Sequence, residues 1–271
     1  VKKLLIRIVL GSSRTRFGLY VYQQILDATM GRKWGVTYCS TEMRFSAPNQ
    51  LTDYRVRTFE TKEPETLDWI DSISEGAVLW DVGANVGLYS VYAAKARKCV
   101  VYAFEPSVFN LELLARNIFV NDLQRQITIV PIALSDVLGE NTFRMSTTQW
   151  GGALSTFGEE FDQDGLLLNE VFEYKTMGLS MNEAVTLLRI PGPRYLKIDV
   201  DGLEHFILRG GSDVLGQVES VLIEINDDFS EQAEESSRSL EEAGLSLYRK
   251  CDIGAANMFN QWWVRDPNSS R

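Results

Sequence analysis

Cysteine, histidine and long apolar runs are all scarce in this sequence, and each shortage removes a class of chemistry. The three cysteines, Cys39, Cys99 and Cys251, stand far apart without CxxC spacing, which excludes a disulfide framework or a zinc knuckle and fits a reducing, cytoplasmic compartment. The single histidine, His205, leaves no set of imidazoles for a metal site. The opening run VKKLLIRIVL is interrupted by Arg7 and is too short and too charged to span a bilayer. No small-residue cleavage site follows it, so it does not read as a secretory leader. Basic residues are scarce over most of the chain. Residues 1–60 hold ten Lys or Arg against four Asp or Glu, whereas residues 61–271 hold 17 against 33. So acidic a body argues against a nucleic-acid surface. The basic start, with five Lys or Arg and no acid through Arg16, reads either as an element packed on the domain with a solvated face or as a peripheral membrane contact through residues 1–16.

What is present is enough apolar residue, 45% of the chain, for a substantial core. Residues 1–62 carry weak periodic signals, a helix near FGLYVYQQILDATM and a strand near YRVRTFET, and are expected to form an accessory segment. From residue 63 to 271 strand and helix patterns alternate, through strands at residues 77–82, CVVYAFEP, ITIVPIAL, RYLKIDV and ESVLIEIN, which is the βαβ order of a parallel sheet. A polar, Gly-rich stretch from Ser135 to Met181 interrupts it where a lid or substrate-binding insertion belongs.

In VLWDVGANVGLYS a buried strand runs into Gly83 and Gly87 before a helix at Leu88, so backbone approaches a bound group closely and helix N–H groups point at it. Glu105 follows Gly83 by 22 residues, a spacing that suits a carboxylate on ribose hydroxyls. The turn is G-x-N-x-G rather than G-x-G-x-x-G, and Asp81 would repel a pyrophosphate. A cationic nucleoside, S-adenosylmethionine, therefore fits better than NAD, and a nicotinamide-dependent oxidoreductase is disfavoured.

DVGANVGLYS, FEPS with the Asn that follows, ALSD, GGALS, YLKIDVDGLE, VLIEIN and the upstream KEPETLDWI together resemble the FkbM family of S-adenosylmethionine-dependent methyltransferases, over roughly residues 50–230. The resemblance implies an α/β, Rossmann-like, seven-stranded class I methyltransferase fold with its last strand antiparallel. It implies O-methylation of a saccharide, glycolipid or glycosylated natural product. It also implies that Asp81, Gly83, Ala84, Asn85 and Gly87 line the methionine end of the donor, Glu105 the ribose, and Ser135 with Asp136 the adenine. YKTMGLSMNEAV departs from the family, which leaves that segment without an assigned role.

A sugar hydroxyl needs a base within hydrogen-bond reach to become a nucleophile. Asp199, Asp201, Glu204 and Glu224, at the ends of the fourth and fifth strands, are the catalytic candidates. A divalent ion on Asp199 or Asp201 with Glu224 and Asn226 is the other way to acidify the hydroxyl, and the sequence leaves the metal unknown. His205 precedes Phe206, Ile207 and Leu208 and reads as a packed imidazole. Trp150, in the Gly-rich stretch, and Asn226 are candidates for contact with the acceptor; Tyr248, Trp262 and Trp263 read as core. The alternative to an enzyme is a noncatalytic S-adenosylmethionine-binding module of a glycan-assembly complex, which has no need of a base. The acceptor and oligomeric state stay open.

Overall fold

A computed structural model describes residues 2–254 and 257–266; Val1 of the basic segment and residues 267–271 of the main domain lie outside them. The chain opens with α1 (Lys2–Ser12) and α2 (Arg16–Gly31), then β1 (Lys33–Tyr38), β2 (Thr41–Ser46) and α3 (Gln50–Arg57). There follow α4 (Pro64–Ser72), β3 (Val78–Val82), α5 (Leu88–Ala96), β4 (Val100–Phe104), α6 (Val108–Val120) and β5 (Ile127–Val130). The middle holds β6 (Ala133–Leu134), β7 (Gly139–Met145), β8 (Ser155–Phe157), β9 (Phe172–Leu179) and α7 (Met181–Leu188). The last part holds β10 (Tyr195–Ile198), α8 (Glu204–Arg209), α9 (Ser212–Leu215), β11 (Ser220–Asn226), α10 (Ser230–Glu242), β12 (Leu245–Asp252) and β13 (Met258–Arg265).

Among the described residues the main sheet has seven strands in the order β12-β13-β11-β10-β3-β4-β5. β13 alone runs against its neighbours, which is the Rossmann-like arrangement with an antiparallel last strand. Alternate residues of each central strand enter opposite faces. Leu79, Val101, Ala103 and Leu222 pack under α4, α5 and β2 on one side. Trp80, Phe104, Ile198 and Ile223 pack with residues of α7 and α8 on the other. Both faces are therefore covered, as a parallel sheet requires.

The segment before residue 63 shares this core. Met43, Phe45 and Phe59 are buried with Leu67, Trp69 and Tyr92, and the backbone of β2 is held by α6, with Asn117 accepting from Ser46 N at 2.8 Å and Asn121 from Arg44 N at 2.9 Å. The strand expected near YRVRTFET is instead the end of α3 and a turn. The V/R alternation imitated a strand, but Asn49 and Thr52 form a capping box that starts a helix there. The β1–β2 hairpin had no counterpart in the periodicity. The Gly-rich stretch forms a second sheet, β6-β9-β7-β8, whose 146–154 connection reaches the carboxyl ends of the main strands.

Candidate functional site

The site begins where β3 ends. Gly83 has φ 79°, and a Cβ there would lie 1.8 Å from the Asp199 carbonyl oxygen, so only glycine lets the ends of β3 and β10 meet. Asn85 follows in the left-handed region, φ 52°. Its N–H donates to Glu105 Oε2 at 2.8 Å, and Ser107 N donates to Glu105 Oε1 at 2.7 Å. One backbone donor thus fixes each oxygen, leaving acceptor capacity toward the cavity. Burial pushes the Glu105 carboxyl up to about 7 despite these bonds. Gly87 is left-handed at the start of α5, where a Cβ would meet Leu114 at 2.4 Å.

The fourth and fifth strand ends supply the acids. Asp199, Asp201 and Glu224 line the same cavity as Gly83, Asn85 and Glu105, a space of about 360 Å³. Their environments differ. Burial alone would raise Asp199, but the charge and 2.8 Å hydrogen bond of Lys197, with Lys62 and Arg55, hold it below the usual carboxylate range. Lys197 is buried and pairs in register with Asp81 across the β3–β10 ladder; against the cost of burial, Asp199, Asp81 and Glu63 keep its ammonium above its ordinary value. Asp201 is pushed up to about 6 by burial and by Asp199, although Ser155 N donates to it at 3.2 Å. Its φ of 60° is strained backbone for a non-glycine residue. Glu224 is raised well above the usual range, first by burial and then by Asp199.

Glu204 is not at the cavity wall. It is buried beneath the 199–203 turn, accepting from Val200 N and Gly202 N at 3.1 Å each and from the Gln232 amide, and burial raises it to about 7. The carboxylate thereby holds the turn that carries Asp199 and Asp201. Asp81 also lies below the cavity, buried, bonded to the Ser90 hydroxyl at 2.5 Å and with Oδ1 unpartnered. Asn226 is buried and donates to Gln163 O and Asp164.

The roof is the Gly-rich loop. Gly152 O accepts from Asn85 Nδ2 at 2.8 Å and Asn110 Nδ2 at 3.1 Å, while Gly151 N donates to Asn110 Oδ1 at 2.9 Å. Gly151 O accepts from Arg55 Nε at 2.8 Å, and Trp150 O from Asn49 Nδ2 at 2.9 Å. Trp150 takes part through its carbonyl, and Gly152, Ala153 and Leu154 are the residues that face the cavity.

Two smaller cavities adjoin the large one at Gly83. An apolar slot of about 40 Å³ is lined by Phe104, Ile132, Leu134, Phe143 and Phe157. A charged pocket of about 50 Å³ is lined by Ala84, Arg55, Lys62, Glu63, Tyr89 and Lys197. Ser135 and Asp136 do not line the slot: the Ser135 hydroxyl donates to Asp136, whose carboxylate pairs with Arg209 at 3.2 Å. His205 is buried against Phe206 and Phe229 with both ring nitrogens unpartnered, and burial lowers its pKa. Among the described residues no group of three or more His, Cys, Asp or Glu is arranged to hold a metal ion.

Sequence reasoning did not assign Arg55, Lys62, Glu63, Asn110 or Lys197. Asn110 belonged to the FEPS motif and Lys197 to KIDVDG, so position in a motif was their available signal. Lys62 and Glu63 open the upstream KEPETLDWI motif, which gave the same signal, whereas Arg55 reaches the site by folding of a segment that carried none.

Residues 81–251 match the methyltransferase FkbM domain. Over 187 residues the chain is 28% identical to the hexuronic acid methyltransferase AglP of Haloferax volcanii, covering 68% of this chain and 70% of that protein. Over 180 residues it is 28% identical to the AMB antimetabolite synthetase AmbE of Pseudomonas aeruginosa, covering 56% of this chain and 8% of that protein. A solved FkbM methyltransferase from Methylobacillus flagellatus KT has 14% identity and a TM-score of 0.47, with 71% of this chain covered but less than half, 44%, of the solved chain.

Proposed function

This chain belongs to the FkbM family of S-adenosylmethionine-dependent methyltransferases, and we propose that it transfers the methyl group to a hydroxyl of a saccharide, free, lipid-borne or part of a glycosylated natural product. The acceptor class is carried from AglP, whose name gives a hexuronic acid. The observation that carries the chemistry is the convergence of Gly83, Glu105, Asp199, Asp201 and Glu224 on one cavity.

The linings of the three adjoining spaces match in chemical character the three parts of an S-adenosyl donor. The apolar slot suits the adenine ring, Glu105 suits two ribose hydroxyls, and the charged pocket suits the amino-acid end. There Arg55 and Lys62 would face the carboxylate, and Glu63 and Asp199 the ammonium. When bound, the donor supplies a methyl group activated by a sulfonium. The chain's own task is alignment and proton removal.

Environment divides that task among the acids. Asp199, ion-paired with Lys197 and held below the usual carboxylate range, is a fixed anion and a poor base. Asp201, with its carboxyl at about 6, is ionised at neutral pH yet basic enough to take the hydroxyl proton. Glu224 stays protonated more readily and is suited to hydrogen-bond the acceptor. Glu204 positions the turn. We also propose, independently of the chemistry, a peripheral membrane contact through residues 1–16, which would bring the cavity to a lipid-borne acceptor.

The test is methyl transfer to a panel of saccharides by the native chain and by Asp201→Asn. The variant should bind S-adenosylhomocysteine like the native chain and transfer about a hundred- to ten-thousandfold more slowly. Equal transfer would remove the base assignment. Donor binding without transfer to any saccharide, in the native chain, would favour the noncatalytic binding module.

A further inference from the structure

α1 and α2 form a hairpin. The Tyr22 hydroxyl donates to Val9 O at 2.8 Å, and Thr15 caps α2 by accepting from Gly18 N at 3.0 Å. Gly18 is the buried residue of α2, and a Cβ there would lie 1.8 Å from the Ser12 carbonyl, so the turn depends on it. Beyond this joint the apolar side chains face outward: Phe17 is 77% exposed, and Ile8, Leu10, Leu19, Ile25 and Leu26 are each half exposed or more. A helix of 16 residues gains little stability from its own hydrogen bonds in water, so this surface calls for an apolar partner.

Charge decides which partner. Residues 1–33 hold seven Lys or Arg and one acid, Asp27, while the remaining residues hold 20 basic and 36 acidic side chains. A second hairpin would set like charge against like charge. An anionic bilayer offers apolar depth and a negative surface together, and Tyr20 and Tyr22 suit its headgroup level. Among the described residues no helix is long and apolar enough to cross a membrane, so a hairpin bound to a bilayer would lie along its surface.

We infer that residues 2–31 dock this chain on an anionic lipid surface, with α2 supplying most of the apolar contact and the acidic body held off by its own charge. The inference rests on the hairpin and not on the methyl-transfer reading. It is tested by co-sedimentation of the full chain with vesicles of phosphatidylcholine alone and of phosphatidylcholine with phosphatidylglycerol, for the native chain and for Ile25→Ser with Leu26→Ser. The native chain should pellet with the anionic vesicles, about tenfold less with the zwitterionic ones, and less at high salt. The double variant should lose anionic binding by at least roughly tenfold and keep its affinity for S-adenosylhomocysteine, which reports an intact fold. Equal or absent binding to both vesicles would overturn the inference. So would a dimer in sedimentation equilibrium that the same substitutions dissociate, because the surface would then belong to a second copy.

Discussion

Asp199 and Asp201 stand two positions apart and have opposite environments, because Lys197 donates to the first and the strained turn at Gly202 carries the second away from it. The sequence made the acids legible as a group at the strand ends. Their division of labour was not legible, since it depends on which acid is reached by Lys197, two residues before Asp199, on burial and on one left-handed residue. The same environments predict a pH dependence. Glu105, Asp201 and Glu204 are raised to about 7, 6 and 7, and Glu224 is raised too. The folded chain therefore binds these protons more tightly than the unfolded chain, whose carboxyls titrate near about 4. Stability must rise as pH falls through that interval. His205 opposes this, because its folded pKa is lowered and the unfolded ring gains a proton in the same range. Asp199, lowered, acts only below the interval. Asp81 is raised by burial as well, and five carboxyls outweigh one imidazole, so the melting temperature of the donor-free protein should increase from about pH 7.5 to about pH 5.5. A decrease would mean that these acids are solvated and ionised.

Elements with strong periodicity, the strands from Val78 to Val130 and from Tyr195 to Asn226, were readable because burial on both faces leaves continuous apolar runs. α3 was not, since its start is set by the Asn49 cap and its alternating Val and Arg imitate a strand. The roof loop was recognised as an insertion, but its grip on the site comes from Asn49 at the cap of α3 and Arg55 within it, Asn85 of the β3–α5 turn and Asn110 of α6, three separate segments whose convergence periodicity does not carry. Asn110→Ala removes the partner of Gly151 N and one partner of Gly152 O. Leaving a buried donor unpaired costs about 1–3 kcal/mol, so urea unfolding should show a loss of that size, and stopped-flow should show faster release of S-adenosylhomocysteine. Unchanged values for both would mean the loop is held elsewhere.

At the scale of the whole molecule, the alternation of strand and helix implied a parallel sheet, and the resemblance implied its antiparallel last strand. Periodicity alone cannot order strands, because their neighbours are chosen by helix packing across the sheet. The 81–251 match also understates the site. Leu51, Tyr54, Arg55 and Lys62 from before that span and Met258 from after it line the main cavity, so the segment first read as accessory is part of the wall around the proposed donor.

Glu105 is the residue proposed to hold the donor ribose inside this cavity. Calorimetric titration with S-adenosylhomocysteine tests that most directly. The native chain should bind one equivalent, and Glu105→Ala, still folded, should bind roughly tenfold to a hundredfold more weakly, as expected when two hydroxyls lose a charged acceptor. Equal affinity in both proteins, or no binding by the native chain, would contradict the account.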